Sequence, residues 1–280
     1  MIKIVADTTS TLSPQDADKL GVYFLPQIII FGEKSYRDDN ELSSSEFLSK
    51  LRSSSVLPKT AAPPPALYLP IFEELTKQGH TIIVICPSQK VSGTYRSAAE
   101  AALEFPGADI HVIDTRTVAG GLGSIVLQAH DWAQQGFSAQ EIESKVRNLA
   151  KREHVYFLVD TLEYLHKGGR IGGAQALVGS ILQVKPILTL KNGKAEPADS
   201  QRTKKKALAK LIEIVALDCP RDSSALISVS HCDAELEAQD LKKQLETTLG
   251  LKNIPIYELP PAIVVHAGPK SLSVSYFVKE

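Results

Sequence analysis

Most of the residues that announce a particular chemistry are scarce or missing in this chain. Cysteine occurs three times in 280 residues, at Cys86, Cys219 and Cys232, with no C-x-x-C pair and no metal-ligand spacing. That usage predicts buried, reduced thiols in a reducing compartment rather than a disulfide. There is no basic excess: 31 Lys and Arg stand against 32 Asp and Glu, for a formal net charge of −1. A nucleic-acid surface usually leaves a positive imbalance, so that class is set aside. No apolar run approaches the roughly eighteen residues of a membrane span. The opening MIKIVADTT turns polar too soon for a secretory leader. The P-loop ending G-K-[ST], H-E-x-x-H, G-x-S-x-G and G-x-G-x-x-G are all absent. His80, His111, His130, His154 and His166 show no ligand spacing either. The expectation is a soluble cytoplasmic protein with no metal.

What is present suits a sizeable core, at 43% hydrophobic and 22% charged residues. Apolar β-branched runs alternate with helical periodicity through the first half, the rhythm of a doubly wound, mostly parallel sheet. Strands are predicted at 2–6, 23–31, 81–86 and 110–113, with a polar excursion at 32–40. Helices are predicted after Ser13-Pro14, at 43–51, 66–77 and 95–103, and a loop at 53–65. Gly120, Gly121 and Gly123 read as a loosened turn before a helix at 124–134, and Ser138 with Glu141 has capping-box spacing. The grammar changes near residue 152, which predicts two domains, 1–152 α/β and 153–280 α+β. In the second, strands are predicted at 154–159, 184–190, 225–230, 254–259, 262–266 and 271–278, with Asn192-Gly193 as a hairpin turn. Helices are predicted at 175–182, at 202–216, and from a cap at Asp233 to Gly250 with Leu236, Leu241 and Leu245 inward.

In an open parallel sheet, ligands sit beyond the carboxyl ends of the strands. Three polar strand ends fall there: Asp7-Thr8-Thr9-Ser10, the 88–94 turn, and Asp114-Thr115. The 88–94 turn places Ser88, Ser92, Gly93 and Thr94 at a helix start, where unpaired N–H groups and hydroxyls make an anion site. An ordinary helix cap is the competing reading. Gly168-Gly169-Arg170-Ile171-Gly172-Gly173 packs four glycines into six residues. That reads either as a backbone-lined turn presenting Arg170 to an anion or partner, or as a connector with a solvated arginine. His266 closes an apolar run and His231 ends another strand; a core imidazole bonded to a carbonyl is the plain alternative for both. Ser92, His266 and Asp7 form a triad only on paper. Lys204, Lys205 and Lys206 read as a solvated helix face or a docking patch. From the residues alone, an α/β enzyme holding a phosphorylated metabolite at the 88–94 turn remains open, as does an interaction module acting through Arg170.

Taken together and in order, these segments resemble the DegV family of bacterial fatty-acid-binding proteins. The resemblance runs through Asp7-Thr8-Thr9-Ser10, Lys59-Thr60, S-x-x-x-S-G-T-Y-x-S-A at 88–98, Asp114-Thr115 and Y-L-x-x-G-G-R-I-G at 164–172. It continues through Lys185-Pro186-Ile187, Arg202-Thr203 with Lys206-Ala207, and His266-Ala267-Gly268-Pro269. It implies two α/β domains with a long-chain fatty acid, such as palmitate, stearate or oleate, in a tunnel between them. It implies that Thr60, Ser92 and His266 bind the carboxylate, with Gly93, Thr94 and Lys270 near the head group. The implied protein is not itself an enzyme and has no cofactor; it presents the carboxylate to a fatty acid kinase subunit that Arg170 meets. Nucleic acid and a membrane span are not implied, and transient membrane contact is left open. Two departures stand out. The family's T-S-Q-P is Thr60-Ala61-Ala62-Pro63 here, and the last glycine of H-x-G-P-G is Lys270.

Overall fold

The computed structural model describes residues 1–179 and 184–280. The chain divides into two compact units: Met1–Val118, Leu122–Lys151 and Pro260–Ala262 form the first, and Ala119–Gly121, Arg152–Leu259 and Ile263–Glu280 the second.

The first unit contains strands β1 (Ile2–Asp7), β2 (Tyr23–Leu25), β3 (Ile28–Phe31), β4 (Lys34–Arg37), β5 (Lys59–Ala61), β6 (Thr81–Cys86) and β7 (Ile110–Asp114). Its helices are α1 (Pro14–Leu20), α2 (Ser44–Ser53), α3 (Pro65–Lys77), α4 (Thr94–Ala102), most of α5 (Ala119–Gln134) and α6 (Ala139–Arg152) up to Lys151. Four strands form a wholly parallel sheet in the order β2-β1-β6-β7. The chain steps outward from β1 to β2, then returns past β1 to β6 and β7. The order therefore reverses between β1 and β6, and the crevice beyond their carboxyl ends is where such sheets take ligands. Tyr68, Phe72 and Leu75 of α3, with Ala98 and Ala101 of α4, cover Val5, Leu25, Ile82 and Val84. The α4 alanines let that helix lie close to the sheet, and the aromatic and leucine side chains supply most of the buried area.

Several boundaries follow local chemistry. Ser13 caps α1, Pro14 opens it, and Gly21 closes it at φ 68°. Ser43 and Glu46 close a capping box on α2. At α6, Glu141 accepts the Ser138 N–H at 2.8 Å, and Ser138 accepts the Glu141 N–H at 3.3 Å.

Other expectations give way. The strand expected over 23–31 is two strands, because Pro26 cannot donate to a ladder. β2 stays with β1, while β3 pairs antiparallel with β4 and β5 in a second sheet. The stretches expected as polar excursion and loop thus each hold a short strand, too short to show periodicity. The helix α5 starts at Ala119 rather than 124, with Gly120, Gly121 and Gly123 inside it. Glycine is unfavourable in a helix by about 1 kcal/mol, but a Cβ at Gly123 would strike the Ser10 carbonyl. Close approach, not a turn, explains these glycines.

The second unit carries β8 (Glu153–Leu158), α7 (Glu163–Lys167), β9 (Lys185–Lys191), β10 (Lys194–Gln201), α8 (Lys204–Asp218), β11 (Ser228–His231), α9 (Glu235–Leu249), β12 (Ile256–Glu258), α10 (Pro261–Ala267, in this unit from Ile263) and β13 (Leu272–Phe277). Its sheet runs β10-β9-β8-β13-β11-β12, antiparallel throughout except for β11 beside β12. Asn192 at φ 52° and Gly193 at φ 78° make the two-residue hairpin. Leu211 and Val215 of α8, and Ala238, Leu241 and Leu245 of α9, pack against Ile187, Val229, Leu272 and Val274.

Corrections here are again physical. Leu236 is 86% exposed rather than inward, since five residues before Leu241 is about 140° off the helix stripe. Asp233 does not cap α9; it sits at φ 52°, and the Glu235 carboxylate of the first turn instead meets His231 Nε2 at 2.8 Å. The helix expected over 175–182 is a 3-10 segment at Gly172–Leu177, and its part at 180–182 lies outside the described residues. The run at 262–266 is helix α10, opened by Pro261, not a strand. So short a run, four apolar residues before His266, carries no periodicity to separate the two.

Candidate functional site

In the first unit the polar strand ends do gather at one edge. Asp7 closes β1 and accepts the backbone N–H of Thr9 at 2.9 Å as well as its hydroxyl. The Gln27 side-chain nitrogen donates to Asp7 Oδ2 at 2.8 Å and to Thr94 Oγ1 at 3.0 Å. Thr94 Oγ1 lies 2.9 Å from Ser92 Oγ, and Ser92 Oγ accepts the Thr94 N–H at 3.2 Å. A second buried carboxyl adjoins: Asp38 accepts the Thr8 hydroxyl at 2.8 and 3.0 Å and the Gln27 backbone N–H at 2.8 Å. Burial pushes the Asp38 carboxyl up to about 7, against the lowering pull of Thr8 and Gln27. Burial likewise raises Asp7, opposed by Thr9, Thr94 and Gln27. Gln27 and Asp38 escaped the sequence reading. The one available signal was an amide inside the apolar run L-P-Q-I-I-I, where a buried polar group must have partners.

Thr60 lies on β5, opposite Ile29. The chain beyond it reaches the Ser92 turn, because a Cβ on Gly93 would come within 3.4 Å of the Ala62 methyl. The segments holding Thr60 and Ser92 are therefore neighbours, and Ala62 puts a methyl group where the family pattern has an amide. On the far side of the turn, Asp114 accepts the Gln89 N–H at 3.2 Å and its side-chain amide at 2.8 Å. Hydroxyls so arranged can donate to an anion without carrying charge. Asp7 has its acceptor positions turned to Thr9 and Gln27, which is not the role of a triad carboxylate.

In the second unit the glycine-rich turn and the His266 segment come together. A Cβ on Gly168 would run into His266 Nδ1, and one on Gly268, at φ 78°, into the Tyr164 ring. Arg170 donates to the Gly168 carbonyl at 2.7 Å. Burial first, and the Arg170 charge second, lower the His266 imidazole to about 4. At neutral pH it is an uncharged ring that can meet an anion through an N–H rather than as a cation. Burial also lowers the Arg170 guanidinium. Lys270 is exposed and sits at φ 59°, which explains the glycine of the family pattern at that place. Lys204 pairs with Glu237 at 2.6 Å. Cys86, Cys219 and Cys232 are buried and bridged by no disulfide. Among the described residues no three His, Cys, Asp or Glu side chains gather to hold a metal ion, and no helix is long and apolar enough to cross a membrane.

A unit with a parallel sheet, hydroxyls and amides at its switch point, and a second, mostly antiparallel α+β unit with a neutral imidazole on a glycine turn, define a two-unit α/β protein. More narrowly, the chain belongs to the DegV family, described as uncharacterised proteins, whose family profile matches residues 1–279. A DegV domain-containing protein of Clostridium perfringens is 37% identical over 279 residues, spanning 98% of each chain. The structure of a DegV family protein from Thermus thermophilus, described for its fatty acid binding, is similar at a TM-score of 0.88 and 32% identity, covering 99% of each chain. A stearic-acid-binding protein from Eubacterium ventriosum is similar at a TM-score of 0.91 and 26% identity, over 100% of this chain and 99% of the other.

Proposed function

We propose that this chain binds a long-chain fatty acid, with Thr60, Ser92 and His266 taking the carboxylate. Gly93, Thr94 and Lys270 stand near the head group in this reading, and residues 1–152 and 153–280 form its two lobes. The supporting observation is family membership alongside solved members described as binding fatty acids; Thr60, Ser92 and His266 stand where the family resemblance puts the carboxylate ligands. The energetics suit a carrier. At about 0.8 kcal/mol per buried CH₂, a chain of roughly sixteen carbons contributes about 10 kcal/mol before association costs. The polar groups then need only satisfy the carboxylate and fix its register. No nucleophile or metal is asked of the protein. The chemical step, transfer of a phosphoryl group to the carboxylate, falls to a separate kinase subunit that Arg170 meets.

Native mass spectrometry of the purified protein tests the binding. Mass increments matching long-chain fatty acids are expected, with a rise in melting temperature on adding stearate. A bare chain after gentle extraction, with no thermal shift from stearate, overturns the reading. Protection by phosphate esters alone would favour an enzyme acting on a phosphorylated metabolite at the 88–94 turn. With kinase and ATP supplied, Arg170→Ala is expected to keep its lipid and lose phosphorylation.

A further inference from the structure

The first unit holds two buried carboxyls and no cation to neutralise them. Asp7 is 1% exposed and Asp38 is 9% exposed. Their partners are uncharged: Thr9, the Gln27 amide and the Thr94 hydroxyl for Asp7, and the Thr8 hydroxyl and Gln27 backbone N–H for Asp38. Neither carboxyl is paired with Lys, Arg or His among the described residues. Arg37 commits its guanidinium to Asp39, at 2.6 and 3.1 Å, and Glu41 accepts its backbone N–H. The other groups facing the pair bring no positive charge. Asp39 adds to the negative field on Asp38, and burial keeps the Tyr68 phenol and the Cys86 thiol protonated. The pair also adjoins the candidate head-group atoms. The Thr94 hydroxyl that reaches Asp7 lies 2.9 Å from Ser92 Oγ. A ligand carboxylate at Ser92 therefore brings a third negative charge to a place that has two acids and no cation. Buried charge of one sign is relieved by protonation when no counter-ion is at hand.

We propose that an anionic head group at Ser92 draws a proton from solvent onto the Asp7–Asp38 pair, with Asp38 as its main carrier, so that capture of a carboxylate is coupled to proton uptake. The inference rests on the fatty-acid reading and adds a control on that site: acid favours loading and alkali favours release. Asp38 is the member poised to respond, because burial sets its carboxyl near neutrality, at about 7. Gln27 links the two acids, its backbone N–H on Asp38 and its side-chain amide on Asp7, so they titrate as a pair. A unit charge about 10 Å away along a partly buried path moves such a carboxyl by about one pH unit.

Isothermal titration calorimetry of the delipidated protein in phosphate and in Tris, two buffers of unlike ionisation heat, counts the protons taken up per ligand. At about pH 7.5 the unaltered protein is expected to take up about half a proton per palmitate and none with hexadecanol, which has a similar chain and no charge. Palmitate should bind about fivefold more tightly at pH 6.5 than at pH 8.5. In Asp38→Asn the uptake should vanish and the affinity should lose its pH dependence. Palmitate labelled with ¹³C at its carboxyl should keep the resonance of the ionised form when bound. Palmitate binding with no uptake overturns the coupling, as does equal uptake with hexadecanol. Uptake that survives in Asp38→Asn, or a bound carboxyl that reads as the neutral acid, places the proton on another group or on the ligand and overturns it too. If Asp38→Asn fails to fold, the hexadecanol and ¹³C measurements on the unaltered protein decide. An unaltered protein that binds no palmitate overturns the fatty-acid reading instead.

Discussion

In the first unit the candidate head-group atoms sit on short hydroxyl and amide side chains strung between two buried acids. In the second they sit on one imidazole held against glycine backbone. The two solutions fail in different ways. A hydroxyl network tolerates extra bulk at its edge but depends on every proton pointing the right way. A ring wedged on glycine is held in place by backbone, yet any added Cβ meets it. Substituting glycines in the two turns separates these cases most sharply. Gly268→Ala places a Cβ in the Tyr164 ring from a residue at φ 78°. It is expected to destabilise the protein by about 3 kcal/mol or more, combining left-handed strain with overpacking. Gly93→Ala has ordinary φ and meets the Ala62 methyl at 3.4 Å and the Arg96 guanidinium at 3.7 Å, both ordinary contact distances. It is expected to change stability by less than about 1 kcal/mol. Urea unfolding of both variants measures the contrast, and comparable losses would erase it.

The acids and the imidazole also respond to pH with opposite sign. Burial raises Asp38 to about 7 from the ordinary 3.8. Between those values the folded chain keeps a proton that the unfolded chain has released, so this group makes stability fall as pH rises from about 4 to 7. His266 is lowered to about 4 from 6.5. Between those values the unfolded chain takes up a proton that the folded chain refuses, so this group makes stability fall as pH drops. At about 1.4 kcal/mol per unit, neither contribution exceeds about 4 kcal/mol, and they largely cancel. Asp38→Asn should tilt the profile from pH 4.5 to 6.5 upward relative to the unaltered protein, by the Asp38 share alone, because Asp7 stays raised by burial. His266→Gln should expose the acid slope and invert the trend. Melting temperatures across that range check both, and parallel curves for the two variants would show that one assignment is wrong.

Much of this arrangement was legible in the residues. The alternation of apolar runs and helical stripes gave the parallel sheet and its polar strand ends, and Asn192-Gly193 gave the hairpin. Ser43 with Glu46 and Ser138 with Glu141 marked helix starts, because capping is local. What stayed hidden is non-local. Asp38 meets Thr8 across 30 residues and Gln27 meets Thr94 across 67, and no window on the sequence contains either pair. The glycines of α5 misled for the same reason: their need comes from the Ser10 carbonyl over Gly123, far away along the chain. The helix α10 was missed because a run as short as Ala262–Val265 looks alike in either conformation.

The smallest effect belongs to Lys270, where strain and charge pull in different directions. The residue is exposed and holds φ 59°, a conformation that a side chain disfavours by about 1 kcal/mol or slightly more. Lys270→Gly relieves that strain but gives the unfolded chain more freedom, which offsets part of the gain. The net expectation is a stabilisation between zero and about 1 kcal/mol. If the ammonium also attracts the head group, as a solvent-screened cation it contributes little, and stearate affinity should fall only a few-fold. A variant that is more stable and slightly weaker in stearate binding would mean that the lysine trades backbone comfort for charge beside the ligand. A variant more stable with unchanged affinity would place Lys270 outside the head-group site and leave the neutral imidazole and the Ser92 hydroxyl to hold the anion without it.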